Sequence, residues 1–259
     1  MLRCSSRLLF LLALVFFAGC ATLPKGEQPD RRDPFERFNR SVYRFNDSLD
    51  RHVARPVAVA YVKITPQPVR TGVANFLANL NYPVTVVNDA LQAKPKHFAQ
   101  DLARLAVNTT IGIGGLFDPA SKMGLESHDE DFGQTLGRWG VPPGPFLMLP
   151  VLGPSDVRDG LGKVADHYSE PQAYFSNQTL GWGLTGMGLV SKRAGLLDAD
   201  AALNRYFDPY IFLRNAYLQR RVFLIYDGNP PEEPISDDAD SDADSDSGAG
   251  AAKDTPAKP

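Results

Sequence analysis

The stretch DPFERFNRSVYRFND, residues 33–47, decides how the chain is read. Asp33-Pro34-Phe35-Glu36 supplies an N-cap, a proline at the first helical position and an acid at the third. Phe38, Val42, Phe45, Leu49 and Val53 follow at spacings of 4, 3, 4 and 4, which is one face of a helix. Arg37, Arg40, Arg44, Asp47 and Arg51 supply the opposite face. The segment predicts an amphipathic α-helix.

Similar segments follow it. Val69, Val73, Phe76, Leu77 and Leu80 form a stripe after Pro68 that should stop before Pro83. Phe98, Leu102, Leu105 and Ala106 form another after Pro95, and Leu196 to Tyr206 reads as helical. A last helix starts at Asp208-Pro209 and carries Tyr210, Leu213, Tyr217 and Leu218. Asp-Pro recurs at 33, 118 and 208, each time as a helix-start signal. Alternating strands with hairpin turns and fixed-period repeats are both missing from the sequence. The expected fold is all-α.

Two apolar stretches sit badly in an ordinary soluble domain. Val141–Pro154 (VPPGPFLMLPVLGP) holds Phe146, Leu147, Met148, Leu149, Val151 and Leu152 among five prolines. Prolines exclude a regular helix and a central strand, leaving an apolar loop or irregular hairpin. A surface loop of that composition needs something to touch. Leu180–Val190 (LGWGLTGMGLV) has eleven residues, no charge and four glycines, which suit close helix packing or a bend dipping into a membrane. Neither stretch approaches the roughly 20 residues of a spanning helix.

The ends of the chain differ from the body. Leu8–Ala18 is an uncharged run of eleven residues behind Arg3 and Arg7. As a helix it would reach only about 16 Å, half a bilayer core, so residues 1–19 read as a signal peptide. Phe17-Ala18-Gly19-Cys20 resembles a lipobox, which implies cleavage before Cys20 and acylation of that cysteine. Ala21 follows in place of an aspartate, consistent with an outer-membrane lipoprotein. Once Cys4 leaves with the signal, Cys20 is the only thiol, so no internal disulfide can form. Residues 20–32 form a tether, 33–227 the helical domain, and 228–259 a disordered acidic tail. From Glu232 onward nine acids face two lysines, whereas residues 20–231 carry 23 basic and 21 acidic residues. A nearly neutral body argues against nucleic acid as a partner.

Enzyme signatures are weak. No G-x-S-x-G elbow exists, and the mature thiol is the acylated one. His52, His97, His128 and His167 lack zinc-ligand spacing, and no cofactor or metal motif is present. The acidic run His128-Asp129-Glu130-Asp131 reads as a solvated loop rather than a cation site. Gly112-Ile113-Gly114-Gly115 lacks the end of a phosphate loop and reads as a helix stop.

Five stretches together are similar to the MlaA/VacJ family of outer-membrane lipoproteins. They are DPFERFNRSVYRFND (33–47), RPVAVAY (55–61), PQPVRTGVANFLANL (66–80), FGQTLGRWGVPPGPFLMLPVLGPSDVRD (132–159) and LLDADAALNRYFDPYIFLRNAYLQRR (196–221). The resemblance implies a single ring-like bundle of amphipathic helices in the inner leaflet of the outer membrane, with a polar pore. It implies association with a trimeric porin. It also implies removal of misplaced phospholipid from the outer leaflet and delivery to a soluble periplasmic lipid carrier. On that reading Phe38, Phe45, Phe76 and the 146–152 loop contact lipid or porin, while Arg37, Arg40, Arg44 and Arg70 face the pore or a headgroup. The protein would not be an enzyme. The alternative is a lipid-anchored envelope scaffold or a peptidoglycan hydrolase. Helical periodicity alone cannot say whether the apolar faces point in, as in a globule, or out, toward acyl chains.

Overall fold

The first long helix begins where the charge pattern changes. A computed structural model describes residues 30–200 and 206–231. The signal peptide, Cys20 and most of the tether lie outside the described residues. So do the tail beyond residue 231 and residues 201–205 of the 196–206 segment.

Helix α1 spans Glu36–Leu49 and runs through a π-helical turn, Asp50–Ala54, into α2, Arg55–Ile64. Helix α3 covers Gln67–Leu91 and α4 Pro95–Thr110; short α5, Pro119–Lys122, leads to α6, Phe132–Arg138. An antiparallel hairpin follows, β1 Phe146–Leu149 paired with β2 Gly153–Asp156 in the register Phe146↔Asp156 to Leu149↔Gly153. Helices α7 (Val157–Asp166), α8 (Gln178–Gly195) and α9 (Pro209–Ile225) complete the described chain. The mostly helical expectation is met, and the 141–154 segment is indeed a small hairpin. Among the described residues no helix is long and apolar enough to cross a membrane.

The later helix starts follow capping rules, whereas α1 to α4 begin without a capping side chain. Asp118, Asp131, Asp156 and Asp208 each accept a backbone N–H of the helix they precede, at 2.7 to 3.2 Å. Asp33, expected to cap α1, does not; its carboxylate is buried in contacts with Asn39, Tyr210 and Arg214. Pro83 was expected to stop a helix and lies inside α3. An interior proline costs about 3 kcal/mol of helix stability, and packing of α3 against both α4 and α8 outweighs it.

Neighbours close into a circuit. Helix α1 packs on β1, β2 on α9, α9 on α6, α6 on α3, α3 on α8 and α8 on α2, which returns to α1 through the π turn. Two helices meet closely inside it. A Cβ on Gly133 of α6 would sit 2.5 Å from an Asp159 carboxylate oxygen, and one on Gly162 of α7 would sit 2.5 Å from the Gly133 nitrogen. The Asp131-Phe132-Gly133 triplet is therefore a cap followed by a crossing point. By contrast, a Cβ on Gly183, Gly186 or Gly188 of α8 would meet nothing, so those glycines do not serve close packing within this chain.

Candidate functional site

Burial in this molecule runs opposite to that of a soluble globule. Among the described residues, eight hydrophobic side chains are buried against twenty polar or charged ones. Helix α7 shows the arrangement most clearly. Its buried residues are Arg158, Asp159, Gly162 and Asp166, while Val157, Leu161 and Val164 are exposed, Leu161 to 65%. Helix α4 repeats it, burying Asp101, Arg104 and Asn108 and exposing Leu102. On α8 no residue is buried, and Leu180, Trp182, Met187 and Leu189 all lie on the surface. On α4 and α7 the sense that periodicity left open is polar face in and apolar face out, whereas α1 and α9 turn Val42, Leu213 and Leu218 onto the apolar core.

Buried charge is tolerated only when paired and hydrogen-bonded, and most of it here is. Arg221 donates to both oxygens of Asp131, at 2.6 and 2.9 Å, and also pairs with Asp159. Asp159 further accepts from Arg158 at 3.0 Å and from the Tyr217 hydroxyl at 2.5 Å. Burial pushes the Tyr217 phenol up, and its bond to Asp159 pushes the same way. Burial also raises the Asp131 carboxyl, but Arg221 outweighs it and holds that group below its usual range. Asp166 accepts from the Phe132 N–H and from Asn88, and burial lifts its carboxyl to about 6. At the α5 corner, Arg104 donates to Asp118 at 3.0 Å and Asn108 joins it at 3.0 Å.

A second polar group holds the hairpin. Asn39 donates to the Phe146 carbonyl at 3.0 Å and accepts from the Met148 N–H at 2.8 Å. Two turns further along α1, Asn46 donates to the Leu149 carbonyl at 2.9 Å and accepts from the Val151 N–H at 2.8 Å. Val151 has φ +67°, a strained conformation for a β-branched residue, and Asn46 is what holds it there. The sequence reading of 33–47 used its aromatics and arginines and missed both asparagines. Their seven-residue spacing on one helix face was the available signal.

Several expectations need revising against these positions. Phe146 and Met148, expected at lipid or porin, are 0% and 1% exposed and pack with Tyr210 in the apolar core. Strand alternation explains it: β1 turns Phe146 and Met148 inward, leaving Leu147 and Leu149 half-buried. The hairpin tip, Val151 and Leu152, is exposed, as is Phe45; Phe38 and Phe76 are half-buried. The 128–131 run is not a solvated loop throughout, because Glu130 is buried.

The arginines divide into two places. Arg37, Arg40 and Arg44 line one recess of about 470 Å³ with Ser41, Tyr43, Asp208 and Tyr210, and Arg70 is not part of it. Within the recess Arg40 is committed, pairing with Glu36 at 2.6 Å and Asp208 at 2.8 Å and lying over the Tyr210 ring at 4.6 Å. Among the described residues neither Arg37 nor Arg44 pairs with a carboxylate, and both are exposed. A larger groove, about 830 Å³, lies between the start of α3 and the 111–122 segment, lined by Val69, Val73, Ile111, Leu116 and Phe117.

Comparison with known proteins follows the same lines. A family model described as MlaA lipoprotein matches residues 31–224. The chain is 38% identical over 239 residues to the intermembrane phospholipid transport system lipoprotein MlaA of Escherichia coli K12, covering 88% of this chain and 94% of the relative. The lipoprotein of the same name from Haemophilus influenzae is 34% identical over 238 residues, again covering 88% and 94%. A structure solved in work on the "structural basis for maintenance of bacterial outer membrane lipid asymmetry" matches with a TM-score of 0.69 at 38% identity. It covers 75% of this chain and 100% of the other.

Proposed function

The chain belongs to the MlaA lipoprotein family, and from that premise we propose that it moves phospholipid between membranes and so maintains outer-membrane lipid asymmetry. It is anchored through acylated Cys20 to the outer membrane and lies within its inner leaflet. Misplaced phospholipid leaves the outer leaflet through a polar passage in the helical circuit and is handed to a soluble periplasmic carrier. A trimeric porin supports the protein laterally. The role is transport rather than catalysis.

One observation carries this reading: α4 and α7 bury their charged faces and expose their aliphatic ones. In water such exposure would be costly; against acyl chains it is the low-energy arrangement. A headgroup crossing hydrocarbon alone would meet a large desolvation barrier, which a wetted, hydrogen-bonding route lowers. Arg37 and Arg44, at the recess beside Asp208, are the cations with capacity left for a phosphate. The apolar groove beside α3 has the composition to shelter acyl chains in transit. Phe45, Val151 and Leu152, with the part-exposed Phe38, Phe76, Leu147 and Leu149, are the proposed lipid or porin contacts. Directionality would come from partners.

Photo-cross-linking in cells from Leu161, Trp182 and Leu152 tests the placement. Phospholipid or porin adducts at all three are expected, with surface-exposed phospholipid appearing when the gene is deleted. Adducts only to soluble periplasmic proteins, with lipid asymmetry intact after deletion, would refute it.

A further inference from the structure

One buried cluster has no part in that lipid route. It lies at the corner between α3 and α4, where Ala93 adopts φ +54° and turns the chain. Asp89 occupies the last turn of α3 and is 0% exposed; His97 is in the first turn of α4; Glu130 precedes α6 and is 6% exposed. One donor atom from each lies within 4.8 Å of the other two. Both carboxylate oxygens of Asp89 and the Nδ1 of His97 are buried and make no hydrogen bond.

We propose that Asp89, His97 and Glu130 bind one divalent transition-metal cation, zinc being the best match to their donors. The inference goes beyond the transport reading and does not depend on it. An unpaired buried carboxylate is among the costliest groups a fold can carry, and every other well-buried carboxylate described above has a donor. Asp101 lies close enough to hydrogen-bond Asp89 only when one of the two carboxyls holds a proton; with both ionised, Asp101 and Glu130 add negative charge beside Asp89, against Lys94. Lys94 and Arg138 offset two of the four carboxyls Asp89, Asp101, Glu130 and Asp227, and His128 on Asp101 adds positive charge only when protonated. With every carboxyl ionised and both histidines neutral, two negative charges remain, which one dication balances.

The donor chemistry narrows the choice of ion. Two carboxylates and an imidazole suit zinc, whereas magnesium keeps several waters and calcium takes six to eight oxygens. Tetrahedral zinc with bonds of about 2.0 Å has donor–donor edges of about 3.3 Å, so small inward movements of these side chains complete the shell. The supporting contacts resemble an outer shell. Gln92 and Lys94 hold the two oxygens of Glu130 at 2.7 and 2.8 Å. His128 stacks on His97 with ring centroids 3.9 Å apart and is fixed by Asp101 at 2.8 Å. Asp101 or a water completes the fourth position. The ion would join the end of α3, the start of α4 and the segment entering α6.

The test uses the full lipoprotein in detergent, stripped with EDTA, dialysed and titrated with ZnCl2. Calorimetry and metal analysis should give one tightly bound zinc per chain, with a raised unfolding temperature and no such response to MgCl2. Cobalt substitution should give a visible ligand-field band. Asp89→Asn and His97→Gln should each weaken zinc at least tenfold, while His52→Gln, at an exposed histidine on the π turn, should not. Two results would overturn the assignment. One is wild type taking up no stoichiometric zinc and giving no cobalt band, a result independent of how the variants fold. The other is zinc binding that survives both substitutions. If Asp89→Asn raises the unfolding temperature of a wild type that ignores zinc, a proton shared between Asp89 and Asp101 occupies the place assigned to the ion.

Discussion

The hairpin at 146–156 and helix α7 at 157–166 are consecutive in sequence and obey opposite rules. The hairpin packs as a soluble protein does, turning Phe146 and Met148 onto Tyr210, Val42 and Tyr217. Helix α7 begins at the next residue and turns Arg158, Asp159 and Asp166 inward, leaving Leu161 and Val164 outside. One apolar nucleus therefore fastens the N-terminal helix, the hairpin and the C-terminal helix together. The remaining interior is rich in hydrogen bonds and ion pairs, and the aliphatic side chains Leu102, Leu161 and Val164 of α4 and α7 are left exposed. Such a protein has two sources of stability that respond to different perturbations.

The largest effect should come from the ionic side. Arg221 serves Asp131 and Asp159 together, so Arg221→Met takes the cation from half-buried Asp131 and leaves buried Asp159 with Arg158 alone. A loss of about 3–5 kcal/mol in detergent-solubilised unfolding is expected. A loss under about 1 kcal/mol would mean that water reaches this interior freely, and the contrast with the hairpin would weaken. Next comes the joint between the two regions. Asn39→Ala strands the Phe146 carbonyl and the Met148 N–H and removes a donor to Asp33. The expected cost is about 1–3 kcal/mol, and amide exchange should quicken at Met148 before it does in α7.

These two residues also mark what the sequence could and could not disclose. The helix starts at 118 and 208 were legible because capping is local chemistry, that at 95 because proline suits the first helical position, and α1 because its aromatics keep one face. The α4 stripe of Phe98, Leu102 and Leu105 was legible too, but Asp101, Arg104 and Asn108 repeat at the same helical period. Periodicity fixes the axis of amphipathicity and leaves its sense open; only the tertiary structure says which face is covered. Asn39 reaches a carbonyl 107 residues away, and Asp89 meets Glu130 across a corner. Neither contact leaves a local pattern. Phe146 and Met148 were misplaced because proline-rich apolar loops usually lie at the surface, whereas a single hairpin register turned these two inward.

A smaller effect is expected from pH at the rim of the ionic interior. Burial pushes the Asp118 carboxyl up, but hydrogen bonds from Ser121 and Asn108 and the charge of Arg104 outweigh it and hold it at about 2. Its folded value lies below the unfolded value of 3.8, so the folded state binds fewer protons between the two. The stability it contributes is complete above pH 3.8 and disappears as pH falls toward 2. Asp118→Asn should therefore lower the unfolding midpoint at pH 6, with the gap from wild type closing as acid is added through about pH 4 to 2. A gap that stays constant with pH would show that Asp118 acts through cap geometry and not charge.

The smallest expected effect is the most diagnostic. In a soluble core, truncating a leucine to alanine costs about 2–5 kcal/mol, because a cavity is left in packed protein. Leu161 lies in the middle of α7, yet it is 65% exposed. Leu161→Ala should change detergent-solubilised unfolding by no more than about 0.5 kcal/mol, since the described residues leave most of it uncovered. Leu161→Lys should be equally mild in that assay while sharply reducing partition of the protein into phospholipid vesicles. Hydrocarbon penalises a lysine by about 2.5–3.5 kcal/mol at the centre of a membrane helix, and less toward the interface. The pair of measurements separates the two meanings of an exposed leucine. If Leu161→Lys binds vesicles as well as wild type, that face of α7 meets water or another protein. If Leu161→Ala proves as damaging as a core truncation, α7 is packed like the hairpin beside it, and the division between the two regions does not exist.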